Sequence, residues 1–242
     1  KVKDDSEIST LYEKFGKRNV KVLYSKLVTT KKPENDQQGG WKAKVRICVC
    51  GNGEEGTRGH EDVNRAEVPS TFEMKTIITL GAKEGWRIGA LDVKTAFLHA
   101  ELDDKEDGVY AIIPPQILVR HGFVKPGVVW KLNKVLYGLR QGPKKWSDHR
   151  DNVLKQLPVV CDNVQARFVQ VKESKNVWLI KDDKEQIVGR TMVYVDDVLI
   201  TAPQEWITAV FEAFQTHWEI KISGTLGLED VQSLHSWELP SS

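Results

Sequence analysis

The chain is 242 residues long, 40% hydrophobic and 29% charged, enough for one large domain or two small lobes and unlike a disordered or collagen-like chain. Its 35 Lys and Arg against 34 Asp and Glu leave a formal charge of +1, so a nucleic-acid partner would have to be met by bases clustered locally. No apolar run exceeds about eight residues, too short to span a bilayer, and the charged start 1–9 lacks the apolar core of a secretory signal.

Three cysteines, Cys48, Cys50 and Cys161, cannot all pair with one another, and Cys48 and Cys50 are too close along one extended segment for a relaxed bridge. No His stands at zinc-finger spacing, so a reduced, intracellular protein is expected. Lys1 where an initiator Met would stand, and a tail over 228–242 without clear period, give the expectation of a fragment.

The first forty residues are mostly charged and hold one extended apolar run, Val20-Lys21-Val22-Leu23-Tyr24. A polar, Gly-ended turn over 33–40 precedes a strand with alternating faces, Val45, Ile47 and Val49 against Arg46, Cys48 and Cys50. Segments 20–29 and 41–50 are therefore predicted to pair as a hairpin, and the Gly-rich, charged 51–64 reads as an exposed loop. Ser70-Thr71-Phe72-Glu73 fits a capping box, in which hydroxyl and carboxylate satisfy free amides reciprocally. Met74, Ile77, Ile78 and Gly81 then share one helical face, and Gly85 is the predicted stop.

A strand over 86–93 follows, with Asp92 near its end, and 103–108 is a charged loop. A second helix begins near Pro143, with Trp146, Arg150, Val153, Leu154 and Leu157 on one face. Three strands are predicted over 166–172, 177–181 and 191–201. In the last, Asp196-Asp197 interrupts two apolar halves, most simply as a tight hairpin with the pair at its tip. A third helix over 203–218, with Trp206, Val210, Phe211 and Phe214 facing inward, and a strand over 218–222 complete the described pattern. With no internal repeat, the expectation is α+β: a mixed sheet with helices on one face.

Adjacent acids between apolar strands repel each other and lose hydration unless a cation neutralises them. Asp196-Asp197 alone could be a polar turn, but Asp92 ends another apolar strand. Three carboxylates at neighbouring strand ends make an oxygen-rich site suited to Mg²⁺ or Mn²⁺. Two such ions, roughly 3.5–4 Å apart, clamp the attacking and leaving oxygens of a phosphoryl transfer.

Three segments together carry a family likeness: Leu91-Asp92-Val93-Lys94-Thr95-Ala96-Phe97-Leu98-His99, Val129-Trp130-Lys131-Leu132-Asn133-Lys134-Val135-Leu136-Tyr137-Gly138-Leu139-Arg140-Gln141-Gly142-Pro143, and Tyr194-Val195-Asp196-Asp197. In order and spacing they resemble the reverse transcriptase of copia-type LTR retrotransposons. Weaker likeness runs back through Lys44-Val45-Arg46-Ile47 and Cys50-Gly51-Asn52 and forward through 214–227, so the resemblance covers roughly residues 20–227.

The resemblance implies catalytic carboxylates at Asp92, Asp196 and Asp197, with Mg²⁺ (or Mn²⁺) held by these three and the backbone carbonyl of Val93. It implies a nucleotide site at Lys44, Arg46, Phe97, Tyr137 and Gly138, where Lys44 and Arg46 hold the triphosphate and the Phe97 ring stands where a ribose 2′-OH would sit. It implies nucleic-acid contacts at Arg140, Gln141, Lys144, Lys145, Tyr194 and Val195. From pattern alone Phe97 could be core, Arg46 an exposed strand face, and 143–145 a solvated helix start. Gly142 and Cys50 depart from the Ala and Lys usual in the family.

The implied fold is a right-hand polymerase, with fingers over 1–85 and 100–142 and an antiparallel palm sheet backed by helices over 86–99 and 143–223. An irregular tail over 224–242 stands where a thumb would follow. The implied reaction is RNA-directed DNA synthesis: addition of a deoxynucleotide to a primer 3′-OH on an RNA or DNA template. Partners would be that template with its primer, a dNTP, and RNase H and integrase domains of a Pol polyprotein, segments not found in this sequence, with no membrane involved. The setting would be a cytoplasmic particle or the nucleus. Two alternatives stand beside this: a truncated, non-catalytic retroelement remnant binding nucleic acid weakly, and a metal-dependent nuclease on another fold.

Overall fold

The structure, a computed structural model, describes residues 1–33, 40–53 and 68–227. Most of the expected turn over 33–40, the loop 51–64 beyond Gly53, and the tail from 228 lie outside the described residues. Contacts divide the chain into two compact units, Lys1–Arg65 with Phe97–His149 and Ala66–Ala96 with Arg150–Ser242. The helix within 66–85 packs on strands of the second unit.

In the first unit, strands β1 (Lys3–Glu7), β2 (Val20–Pro33), β3 (Trp41–Val49), β5 (Val109–Ile113) and β6 (Val128–Leu132) form a sheet in the order β1-β6-β5-β2-β3. β2 runs parallel to β5, from Val20 opposite Val109 to Tyr24 opposite Ile113, and the other neighbours are antiparallel. Side chains alternate along a strand, so β5 fills two cores at once. Tyr110 and Ile112 pack with Leu23, Trp130, Leu132 and Val135, while Val109 and Ala111 pack with Leu11, Val20 and Val129. The second core includes helix α1 (Ile8–Phe15), whose Ile8, Leu11, Tyr12 and Phe15 recur at helical spacing. Beyond β5 come the short helix α3 (Gln116–Arg120) and then β6.

The second unit is built on a wholly antiparallel seven-stranded sheet. It comprises β4 (Arg87–Val93), β7 (Pro158–Cys161), β8 (Val164–Val171), β9 (Ser174–Asp182), β10 (Ile187–Tyr194), β11 (Asp197–Ala202) and β12 (Ile220–Leu226), in the order β12-β4-β11-β10-β9-β8-β7. β12 extends past the predicted end at 222 because a register shift between Ile222 and Gly224 lets pairing resume. β7 and β8 are joined through Asp162-Asn163, both at positive φ, the mirror-image turn that suits strand twist.

Helix α2 (Thr71–Lys83) has the predicted capping box: Glu73 N–H donates to Ser70 Oγ, and Ser70 N–H donates to Glu73 Oε2. It ends with Gly85 at φ +69°, where Trp86 N–H donates to Gly81 O at 2.9 Å and Gly85 N–H to Ala82 O at 3.1 Å. Helix α5 (Gln204–Gln215) buries Ile207, Val210, Phe211 and Phe214, while Trp206 is only half-buried. Helix α4 (Gly142–Gln156) carries the chain from the first unit into the second and buries Trp146, Arg150 and Leu154.

The sheet register corrects the expectation of helices on one face. Ile200 pairs with Gly89, and Thr201 with Ile88, so Gly89 and Thr201 project on opposite sides. Gly89 meets Ile207 and Phe211 of α5, whereas Thr201 meets Gly81 of α2, so each face carries a helix.

The α2 contact is close enough to test. A Cβ at Gly81 would lie 2.8 Å from Thr201 Cβ, and Thr201 is fully buried. Replacing a helical Gly by Ala gains about 1 kcal/mol of helix propensity, but overpacking a rigid wall costs about 1–3 kcal/mol. Gly81→Ala is therefore expected to lower the free energy of unfolding by a net amount of about 1 kcal/mol, read as a lower urea midpoint. A raised midpoint would show that α2 slides freely on the sheet.

Candidate active site

The hairpin β10–β11 carries the acidic pair, but not as a shared tip. Tyr194 and Asp197 are cross-strand partners, so the loop is Val195-Asp196 and Asp197 is the first residue of β11. Asp197 also lies directly opposite Asp92 of β4, and Asp92 in turn opposite Lys221 of β12. Directly opposite residues in antiparallel strands stand about 4.5–5.5 Å apart at Cα and project on the same side. Tyr194, Asp197, Asp92 and Lys221 thus form one row across four adjacent strands. Asp196 is tied to the same row through its backbone, since Val93 N–H donates to its carbonyl at 2.7 Å.

Two β-branched residues beside these carboxylates have left-handed backbone, Val195 at φ +54° and Thr95 at φ +54°. Such residues avoid that region, at a cost of about 1–3 kcal/mol each, and strain of this kind gathers at functional sites. No feature of the residue pattern announced it, because a valine in a hairpin loop reads as ordinary strand. Below the row, α2 leaves a cavity of about 430 Å³, lined by Ser70, Met74, Ala90, Met192, Leu199 and Tyr194, with Asp197 on its wall.

Burial, and then the negative charges of Asp196 and Asp92, push the Asp197 carboxyl above its ordinary value near 3.8. Among the described residues, no three His, Cys, Asp or Glu side chains converge into a ready-made ion cage. The donor chemistry nevertheless fits a hard divalent cation: it is all oxygen, and Asp197 already sits in the field of the other two acids.

The expected nucleotide residues, Lys44, Arg46, Phe97, Tyr137 and Gly138, all belong to the first unit. Arg46 and Lys44 share a face of β3, with Arg46 Cζ 5.7 Å from the Tyr137 ring centroid. Phe97, in a 3₁₀ turn over Ala96–His99, meets Tyr137 edge-on at 5.4 Å. The backbone at 137–138 docks on the end of β3: Val49 N–H donates to Tyr137 O at 2.7 Å. Gly138 is at φ +94°, and a Cβ there would lie 2.1 Å from Val49 O, so only glycine fits. Gly51 presses on Gly138 O from the other side, at 2.2 Å for its own Cβ.

The expected nucleic-acid residues of the first unit are less open. Gln141 donates to Tyr110 Oη at 3.0 Å, and Lys145 pairs at 2.8 Å with the buried Asp107. Lys21 joins both, donating to Asp107 O at 2.9 Å and to Tyr110 Oη at 3.2 Å. Lys144 pairs with Asp148 one turn along α4, and the Arg140 side chain lies beside Gly51. Asp107, Tyr110 and Lys21 come from distant chain segments, and the sequence offered no sign of this network.

The raised Asp197 carboxyl has a signed consequence. A group whose native pKa is raised holds its proton more tightly when folded, so stability is full below the ordinary value and is lost as pH rises through the native one. Asp197→Asn removes that loss. In thermal melts without divalent ions, the variant is expected to match or exceed wild type at neutral pH, with the difference closing below about pH 3.8. Added Mg²⁺ is expected to raise the wild-type melt alone. A variant that melts clearly lower at neutral pH would make Asp197 a structural residue.

A family model described as reverse transcriptase (RNA-dependent DNA polymerase) matches residues 14–238. The retrovirus-related Pol polyprotein from transposon TNT 1-94 of Nicotiana tabacum is 29% identical over 166 residues, covering 69% of this chain and 11% of that protein. The corresponding polyprotein from transposon RE1 of Arabidopsis thaliana is 27% identical over 183 residues, covering 76% of this chain and 11% of that protein. A putative transposon Ty5-1 protein of Saccharomyces cerevisiae is 32% identical over 116 residues, 47% of this chain and 31% of that protein. This chain thus spans about a tenth of the length of the two plant polyproteins. Among solved structures, prototype foamy virus protease–reverse transcriptase aligns over 82% of this chain and 20% of that one, at 12% identity and a TM-score of 0.35. No helix among the described residues is long and apolar enough to cross a membrane. With the family model matching most of its length and the copia-type Pol polyproteins as distant relatives, the chain belongs to the reverse transcriptase (RNA-dependent DNA polymerase) family.

Proposed function

We propose that this chain performs nucleotidyl transfer as the reverse transcriptase part of a copia-type Pol polyprotein, copying an RNA or DNA template onto a primer. The observation that carries the reading is the row that sets Asp197 opposite Asp92, with Asp196 tied to Val93, in a chain of this family. Asp92, Asp196, Asp197 and the Val93 carbonyl would hold Mg²⁺, or Mn²⁺ in its place. Bound there, the cation supplies neutralisation of phosphate charge, the main demand of phosphoryl transfer.

The chain's own residues do the positioning. Lys44 and Arg46 bind the triphosphate through charge-assisted hydrogen bonds. Tyr137, braced by Phe97 and covered by Arg46, and the Gly138 backbone support the incoming nucleotide. Phe97 excludes a ribose 2′-OH by occupying its place. Tyr194 and Val195 line the primer end, while Arg140, Gln141, Lys144 and Lys145 hold the template side. In this reading the first unit serves as fingers and the second as palm, close to the divisions 1–85 with 100–142 and 86–99 with 143–223. RNase H and integrase domains of the same polyprotein would be its partners, in a cytoplasmic particle or the nucleus.

Primer extension on poly(rA)/oligo(dT) with dTTP, in Mg²⁺ and separately in Mn²⁺, tests the reading. Wild type is expected to extend, and Asp196→Asn/Asp197→Asn to lose roughly a thousandfold or more. Extension that survives the double substitution would sink the metal assignment. A folded chain that never extends would be a non-catalytic copy, and cleavage of a labelled duplex without dNTP would make it a nuclease. Phe97→Ala is expected to admit ribonucleotides, read as the rNTP/dNTP incorporation ratio; an unchanged ratio removes Phe97 from the site.

A further inference from the structure

Of the three thiols, Cys48 and Cys50 belong to the first unit and are partly exposed, whereas Cys161 is buried in the second. Side chains alternate along β3, so Val49 enters the core while Cys48 and Cys50 project from the opposite side, together with Arg46 and Lys44. Backbone on both flanks keeps this segment extended: Val49 N–H donates to Tyr137 O at 2.7 Å, and Cys50 N–H to Tyr24 O at 2.8 Å. Two residues of strand advance about 6.5–7 Å. That is the far end of the Cα separations a disulfide spans, and the two Cβ bonds run side by side instead of toward each other. With Cys161 buried, oxidation at this face is completed by a sulfur from outside the chain.

The charge around the pair selects what brings that sulfur. Lys26 is the direct cross-strand partner of Cys48, is exposed, and makes no ion pair with a described residue. Arg46 stands one row away on the same face, and the Arg140 side chain lies 3.6 Å from the position of a Cβ on Gly51, next to Cys50. Neither β2 nor β3 contains an Asp or Glu. Such a surface draws an anion and repels a thiophilic metal cation. Among the described residues, no third His, Cys, Asp or Glu joins the two thiols to make a metal cage either.

We propose that Cys48 is a modification site that takes an anionic low-molecular-weight thiol, of the glutathione class, in a mixed disulfide that covers Arg46 and Lys44. Only the consequence rests on the proposed function, in which those two residues hold the triphosphate. The Cys48 thiol gives its proton to solvent, and its Sγ attacks one sulfur of glutathione disulfide. The S–S bond breaks, and the second glutathione leaves as a thiolate that takes up a proton. Glutathione disulfide is the oxidant, and no other is needed. Cys50 cannot expel the adduct by bridging to Cys48, so the adduct persists until an external thiol reverses the exchange. Charge-assisted hydrogen bonds from Lys26 and Arg46 hold its carboxylates against the strand.

Intact mass spectrometry of the folded chain incubated with glutathione disulfide, followed by peptide mapping, tests the site without catalysis. One adduct is expected at Cys48 in wild type and in Cys50→Ser, and none on the same face in Cys48→Ser. Lys26→Gln, a change at an exposed side chain, keeps the test independent of how the serine variants fold. It is expected to slow adduct formation about threefold and to leave reaction with the uncharged bis(2-hydroxyethyl) disulfide unchanged. Raising the salt from about 50 to 300 mM is expected to slow the glutathione reaction alone. A first adduct at Cys50 or Cys161, a Cys48–Cys50 bridge in place of an adduct, or an equal effect of Lys26→Gln on both disulfides overturns the site.

Binding of a fluorescent dTTP analogue, without primer or template, separates the site from the copying reading. The adduct is expected to weaken binding about tenfold or more, and dithiothreitol to restore it. Triphosphate binding that the adduct leaves unchanged overturns the covering of Arg46. Adduct formation that follows Lys26 and salt as expected, on a chain that binds no triphosphate before modification, overturns the triphosphate role of Arg46 and Lys44 and upholds the modification site.

Discussion

Two aspartates face each other across a pair of antiparallel strands, and the second unit is arranged to hold them there. The register that pairs Asp197 with Asp92 also pairs Val198 with Leu91 and Ile200 with Gly89. Leu91, Val198 and Ile200 are almost wholly buried beneath α5. A slip of one residue would turn each of them to the opposite face, so the apolar pattern locks the acids in place. The magnitudes agree. A fully buried Val, Leu or Ile contributes about 1.5–3 kcal/mol, while two carboxylates even ~4 Å apart repel by about 1–4 kcal/mol between bulk water and a protein surface. Several such side chains outweigh the repulsion at the strand end.

Close approach of backbone and helix lets the sheet be covered on both sides without moving that register. Gly81 brings α2 onto Thr201, and on the other face Gly89 admits Ile207 and Phe211. The first unit uses the same device for another purpose. Gly51 and Gly138 press backbone against backbone, which fixes Tyr137 beneath Arg46 and against Phe97. In both units the candidate side chains stand on regular elements or on turns pinned to them, which holds them more tightly than free loops would.

What the sequence made legible was whatever has a local signature. Alternation marked β2–β3, the capping box marked α2, and a pair of acids between apolar halves marked β10–β11. The pattern failed where the signal is long-range or thin. β2 and β5 pair in parallel across some ninety residues, Val20 with Val109, and nothing local records such a partnership. α1 was lost because Ile8, Leu11, Tyr12 and Phe15 lie among charges in a single short helix. Within the site, Asp92, Asp196 and Asp197 were legible, but the split between a loop Asp196 and a strand Asp197 was not, since it depends on pairing register. The engagement of Gln141 and Lys145 with Tyr110 and Asp107 was equally hidden, because their partners come from elsewhere in the chain.

The costs carried by the second unit are not spread evenly. Val195 and Thr95 hold left-handed backbone, and Asp197 is raised by burial and by two neighbouring acids, all around the ends of β4 and β11. The rest of the sheet shows the opposite tendency: its Asp162-Asn163 turn places polar residues where positive φ is well tolerated. Strain and like charge gathered at one point, on an otherwise conventional scaffold, mark a place where stability has been given up for the placement of negative charge. A cation that binds the folded row and not the unfolded chain returns about 1.4 kcal/mol for each tenfold excess over its dissociation constant. In the function proposed above, the stability of this unit would therefore be linked to occupancy of its carboxylates, which cost stability while no cation neutralises them.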